Sequence, residues 1–181
     1  MEQFNKVSMR KIPISQGKYA LVDDKDFEWL NQWKWFVCKN GQMMYVHRNE
    51  RNESIKEKRK QITVSMHRSI MKTPKGMDTD HINGDGLDNR RSNLRICTHA
   101  ENTKNKRKTY GTSRYKGVHW CKHNKRWYSY ITHNKKQTFV GSFNNERSGA
   151  IAYNKAAKKY HGIFAKLNKI CPIVMTQRGV S

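Results

Sequence analysis

Apolar residues in this chain fall in short runs, and polar turns separate them. The run 12–22, IPISQGKYALV, predicts two short strands around a Gln16-Gly17 turn. Asp23-Asp24-Lys25-Asp26 then caps a short helix with Phe27, Leu30 and Trp33 as its apolar positions. WKWFV, with Trp33, Trp35 and Phe36, alternates partly into a strand, and after Asn40-Gly41 the run QMMYVHR returns as the second arm of a hairpin. Residues 49–60 are highly charged and predict an exposed loop; 61–66 reads as a strand, and a short helix from His67 to Met71 ends near Pro74. The stretch 80–105, DHINGDGLDNRRSNLRICTHAENTKN, reads as strand, polar loop, strand and helix. Its helix starts at a capping box, Thr98-His99-Ala100-Glu101, so Asn102 sits in the first turns. Further on come three strands, 115–122, 126–132 and 137–143, with turns at Asn124 and His133-Asn134. Asn145 caps a last helix, on which Ala150, Tyr153, Ala157 and Tyr160 share a face and after which Gly162 stands. The pattern is α+β, in two modules.

Charge adds a partner to that outline. The 181 residues carry a formal net charge of +23 and a pI near 10.1, so a polyanion is expected, nucleic acid before membrane. No apolar run approaches the ~20 residues that span a bilayer. The N-terminal Glu2, Gln3 and Asn5 do not read as a secretory leader. Between Thr103 and Lys169 there are seventeen Lys and Arg against a single acid, Glu146; a merely solvated face would carry both signs, so the imbalance favours phosphate contact. Cys38, Cys97, Cys121 and Cys171 form no CxxC pair, which fits reduced thiols in a cytosol. A zinc site from Cys97, His99, Cys121 and His123 matches no standard spacing.

The candidate chemistry lies in 80–105. The strand–loop–strand–helix order can gather Asp80, His81 and Asn102 about one point. The stretch resembles the HNH endonuclease motif, the ββα-metal fold, in the phage-type homing endonuclease subgroup. His81 matches the first His, Asn93 the Asn, and Asn102 the third position, often His, giving a His-Asn-Asn form. DGLDNRRSNLR and Met66-His67-Arg68 also look like the subgroup. The resemblance implies a nuclease module over 1–108, core motif 66–108. It is looser before the motif, through ALVDDKDFEWLNQWKW. His81 suits the task of deprotonating water, since an unperturbed imidazole titrates near working pH. Asp80 offers a hard anionic oxygen and Asn102 a neutral carbonyl oxygen to Mg²⁺ or Mn²⁺, which would polarise the phosphate and relieve charge on the leaving oxygen. Asn93, grouped with His81 as catalytic, braces the loop rather than touching substrate on this reading. His99 is an alternative third ligand or a surface residue. Asp85 and Asp88 are metal ligands or, beside Gly84, Gly86 and Asn89, turn formers. His67 reads as a packed core residue, and the aromatics of 27–36 as a small core or as base-stacking groups.

After a basic linker, 109–113, residues 114–168 resemble the AP2 DNA-binding domain, three strands followed by a helix; 169–181 is a tail. The matching stretches are Tyr115-Lys116-Gly117-Val118, Val140-Gly141-Ser142-Phe143, Ala152-Tyr153-Asn154-Lys155-Ala156-Ala157 and Ala165-Lys166-Leu167-Asn168. AP2 domains lay the sheet in the major groove. By position, that resemblance places Lys116, His119, Cys121, Tyr130, Thr132, Gln137 and Phe139 at DNA, with Lys104, Lys106 and Arg107 contributing basic contacts beside them. The expectation is a monomeric, metal-dependent homing endonuclease on double-stranded DNA, away from membranes, phage-encoded and working in the bacterial cytoplasm. A non-catalytic sequence-specific DNA-binding regulator is the alternative. An RNA-binding protein would leave Asp80 and His81 without a role.

Overall fold

The alternating run 12–22 folds back on itself as expected. In a computed structural model, which describes residues 8–51, 61–105 and 111–170, it forms an antiparallel hairpin of β1 (Met9–Ile14) and β2 (Lys18–Asp23). Gln16 and Gly17 both take positive φ in the connecting turn. The first helix, α1 (Asp24–Asn31), follows directly, but Asp23 does not cap it with its side chain. That carboxylate instead accepts the backbone N–H of Arg91 at 2.9 Å. A three-stranded antiparallel sheet comes next, β3 (Phe36–Asn40), β4 (Met43–Arg51) and β5 (Gln61–Ser65), with β4 central. Residues 52–60, most of the expected charged loop, lie outside the described residues; 49–51 are the end of β4.

A short helix α2 (Met66–Met71) leads to the hairpin of β6 (Asp78–His81) and β7 (Leu94–Cys97), and then to α3 (His99–Asn105). The capping box closes as its residues predict: Glu101 N–H donates to Thr98 Oγ1 at 3.2 Å, and Thr98 N–H to Glu101 at 2.8 Å. One core unites these pieces. Ile12, Ala20, Val22, Leu30, Val46, Met66, Ile70 and Leu94 pack together, with Trp35 among them donating its indole N–H to Leu30 O at 2.8 Å. Trp33, expected on the apolar face of α1, is 43% exposed and lies under the Arg48 guanidinium, 4.2 Å from its ring centre. The helix has ended before it, so the 3.6-residue period no longer applies.

The chain divides into two units, Met1–Asn105 and Lys106–Ser181. In the second, β8 (Val118–Cys121), β9 (Arg126–His133) and β10 (Lys136–Phe143) form an antiparallel sheet with β9 in the middle. The helix α4 (Glu146–His161) packs on one face; Asn145 Oδ1 accepts the Ser148 N–H at 2.8 Å as its N-cap. Ala150, Tyr153 and Ala157 are buried against Val118 and Ile131, while Tyr160 is half-exposed. Gly117 has φ +74°, and a Cβ there would lie 2.0 Å from the Tyr153 ring. The lone acid of this region, Glu146, accepts from Ser113 Oγ at 2.6 Å and from the Arg114 N–H at 3.0 Å. Asn168 accepts the Lys116 N–H at 2.7 Å and exchanges bonds with Asn154, tying the segment after α4 to the strand entry.

Candidate active site

The period-2 alternation of a strand decides what each residue of β6 can reach. Asp78 and Asp80 point to one side, opposite Cys97 and Arg95; Thr79 and His81 point to the other, opposite Ile96 and Leu94. The first side faces α3 and the second faces β4 and α2.

His81 is 3% exposed. Its ring lies 5.0 Å from that of His67 and 5.9 Å from that of Tyr45. Nε2 is 3.3 Å from Asn89 Oδ1. The Asn89 amide group donates to Gly86 O and Leu87 O, at 3.4 and 3.2 Å, which leaves Oδ1 as the atom facing His81. His81 Nε2 therefore carries the proton, and Nδ1 is the basic position of the neutral ring. Burial pulls the imidazolium below its ordinary value of 6.5, against the opposing pull of Asn89, Asp80, Asp85 and Asp88. His67 is held neutral too, its imidazolium pushed down to about 3 by burial and by His81. It is a packed core residue, and its buried Nδ1 has no hydrogen-bond partner.

The loop that carries Asn89 is braced from inside and clamped from outside. Asn93 accepts the Asn83 N–H at 3.0 Å and donates to Asn83 Oδ1 at 3.1 Å and to Asp88 O at 2.8 Å. Asp85 accepts the Leu87 N–H, and Asp88 takes a fork of bonds from Arg90 at 2.8 and 2.7 Å, so both serve the turn. Outside, Leu21 N–H donates to Leu87 O and Asn89 N–H to Leu21 O, fastening the loop to β2. Arg91 forks onto Asp26 of α1 at 2.7 and 2.8 Å. Gly86 presses on β4: a Cβ there would meet Met44 O at 2.1 Å.

On the other side of the hairpin, Asp80 is 6% exposed. Its carboxylate accepts from Arg95 Nε at 2.9 Å and Nη2 at 2.5 Å, and from Asn105 Nδ2 at 2.9 and 3.0 Å. Asn102 donates instead to Asp78 at 3.0 Å, beside His99 Nδ1 at 3.1 Å from the same oxygen. Asp80, His81 and Asn102 thus do not converge on one point. The reason is geometric. Two residues along a strand advance about 6.6 Å and three along a helix about 4.5 Å, so Asn102 and Asn105 lie over Asp78 and Asp80 respectively. His99 has an 81% exposed side chain. Sequence reasoning missed Asn89, Arg95 and Asn105; the DN and LR dipeptides and the second Asn of ENTKN were the available signals.

The acceptor groups on the α3 side are the carboxylates of Asp78 and Asp80, with the amide nitrogens of Asn102 and Asn105 turned toward them. The carboxylates suit Mg²⁺, which takes one or two of them and keeps much of its water. Arg95 now supplies the positive charge at Asp80, and an ion there would displace some of these bonds. Among the described residues no group of three or more His, Cys, Asp or Glu is placed to hold a metal, and Cys38, Cys97 and Cys121 are free thiols.

Residues 72–104 match the HNH endonuclease family model, a span that holds the hairpin, its loop and most of α3. The chain carries an HNH endonuclease domain. A mimivirus protein named as an uncharacterized HNH endonuclease (Acanthamoeba polyphaga mimivirus) is 26% identical over 161 residues, covering 86% of this chain and 77% of that one. An AP2-like ethylene-responsive transcription factor of Arabidopsis thaliana is 37% identical over 57 residues, as is an APETALA2-like protein of Oryza sativa subsp. indica. The chain spans only 12% and 13% of the length of these plant relatives. No helix among the described residues is long and apolar enough to cross a membrane.

Within the HNH domain, Asn89→Ala removes the acceptor that fixes the tautomer of His81. If His81 serves as the base, cleavage is expected to fall about 10-fold, less than the roughly 10²- to 10⁴-fold that loss of the base itself costs. Asn89 raises the His81 pKa, so its loss lowers it further. The neutral base then persists to lower pH, and the acid limb of the kcat/KM profile should shift downward. A profile unchanged in position would mean that Asn89 only fills space.

In the second unit, six of the seven expected DNA-contacting positions share the sheet face opposite α4: His119, Cys121, Tyr130, Thr132, Gln137 and Phe139. Lys116 precedes β8, half-buried, with its ammonium pushed down to about 8 by burial and Lys166. Arg126 and Tyr128 are on the same open face by register. Lys104 lies on α3, while Lys106 and Arg107 lie outside the described residues.

Proposed function

We propose that this protein is a metal-dependent DNA endonuclease of the homing type, which hydrolyses phosphodiester bonds in duplex DNA. The observation that carries the reading is a buried, neutral His81 with its tautomer set by Asn89, directly after a carboxylate that faces the opposite side of the same hairpin. In this reading His81 Nδ1 takes the proton of the attacking water. Asn93 holds the loop that carries Asn89, and Arg90 and Arg91 clamp that loop to its own carboxylate and to α1. Asp80 would be the carboxylate ligand of a divalent ion, Mg²⁺ or Mn²⁺, which supplies charge relief at phosphorus and at the leaving oxygen when bound; Asn102, which donates to Asp78, would have to turn its amide oxygen toward Asp80 to join it. Asn105 and Arg95 keep the Asp80 carboxylate oriented without it.

The second unit has an AP2-like role here: its sheet face and basic turns hold duplex DNA. Its support is the open face bearing six of the expected positions, together with the excess of Lys and Arg over acids.

Asp80→Ala tests the metal assignment. The variant loses a charge and a ligand, so the Mg²⁺ concentration for half-maximal cleavage should rise well above that of the parent. Asn102→Ala should raise it less. A parental Asn102→Ala with an impaired His99→Ala or Asn105→Ala would move the third position to that residue.

A further inference from the structure

The open face of the β8–β9–β10 sheet has a basic rim and an uncharged centre. At one end the turn between β8 and β9 exposes Lys122 and Lys125, next to Arg126 at the start of β9 on the open face itself; at the other, the turn between β9 and β10 exposes Lys135. The eight residues of β9 between them span about 23 Å. The centre is His119, Tyr128, Tyr130, Thr132, Gln137 and Phe139, with no Lys or Arg; the Arg of this face, Arg126, stands with Cys121 at its β8–β9 end. That is the layout for a duplex, with phosphates at the rim and base edges in the middle.

The centre's chemistry narrows the base pair. Guanine is read chiefly by an Arg or Lys fork to O6 and N7, and the centre offers none. Adenine is read by an amide on N6 and N7, and thymine by apolar contact with its methyl group. Gln137 is exposed and supplies the amide; Phe139 is 52% exposed and supplies the apolar surface. The two are i and i+2 on one strand and so share the face. The aromatic rings of this face are engaged with one another. His119 lies stacked on Tyr130 at 5.0 Å and 18°, and Phe139 meets Tyr128 and Tyr130 edge-on at 5.4 and 5.2 Å. Asn124 also holds the Tyr128 hydroxyl.

We infer that this face reads A·T pairs in duplex DNA, with Gln137 on adenine and Phe139 on the thymine methyl group as the specificity-determining residues. The inference rests on the reading of the second unit as a duplex-binding module.

The test uses the full chain in EDTA, so that binding is separated from cutting. Random-sequence duplexes are selected by binding at moderate salt, and the enriched duplexes are remade with uracil for thymine or 7-deazaadenine for adenine. Enrichment of a short A·T run is expected. Uracil at one position, which removes only a methyl group, should weaken binding of the parent about fourfold and of Phe139→Ala not at all. Loss of adenine N7 should weaken the parent, and Gln137→Ala should be blind to it; the full amide contact corresponds to about 5- to 150-fold. Both analogues act on the unaltered protein, so a poorly folded variant does not remove the test. Enrichment of G·C pairs, tight duplex binding with no enrichment, or analogue effects equal in parent and variants would overturn the A·T assignment alone. Preference for single strands, or no retention of duplex, would overturn the duplex-binding reading with it.

Discussion

His81→Ala should cut about 10²- to 10⁴-fold more slowly than the parent, with duplex affinity unchanged. The size follows from what the ring does in this account. His81 sits neutral because burial disfavours its charge, and its Nε2–H is committed to Asn89. Nδ1 is then the proton acceptor, and no other imidazole replaces it. His67, 5.0 Å away, is pushed down to about 3, too weak a base to substitute. Single-turnover cleavage of matched plasmid, with binding measured separately in EDTA, gives both numbers. A variant that cuts at the parental rate removes His81 from the reaction.

Truncation near Thr109 should leave a folded, weakly binding nuclease. The core from Ile12 to Leu94 lies entirely in the first unit, as do the hairpin and α3. Of the seventeen Lys and Arg between Thr103 and Lys169, only Lys104, Lys106, Arg107 and Lys108 remain. Each lost phosphate contact flattens the slope of log affinity against log salt by about 0.9. Loss of base readout takes away discrimination between specific and random duplex, typically about 10³-fold or more. Weak nonspecific nicking at high enzyme concentration is expected to persist. Titrations over several salt concentrations, with circular dichroism for the fold, decide it. Equal affinity and slope in the two proteins would contradict the role given to the second unit; an unfolded product would mean that the two units depend on each other.

What could be read from the sequence was local. Thr98 to Glu101 closes over three residues, so the capping box needs no knowledge of the rest of the chain. Asn145 and Gly162 bound α4 for the same reason. The opposite facing of Asp80 and His81 is likewise implicit in strand alternation. The phase of α3 on the hairpin is tertiary: nothing in ENTKN says that Asn105, rather than Asn102, meets Asp80. Arg91 and Asp26 are 65 residues apart, and their fork depends on how β2 lies against the loop. Asp23 looked like a helix cap, and the Arg91 backbone claimed it instead. Trp33 and Trp35 share a parity, yet only Trp35 is buried, because the first strand of that sheet begins at Phe36.

The most direct measurement is incubation of the pure full chain with supercoiled plasmid, with Mg²⁺ or Mn²⁺ and with EDTA. The account predicts nicked or linear plasmid with the ion and intact supercoils with EDTA. Intact plasmid under every condition, or cleavage that proceeds equally in EDTA, would contradict it.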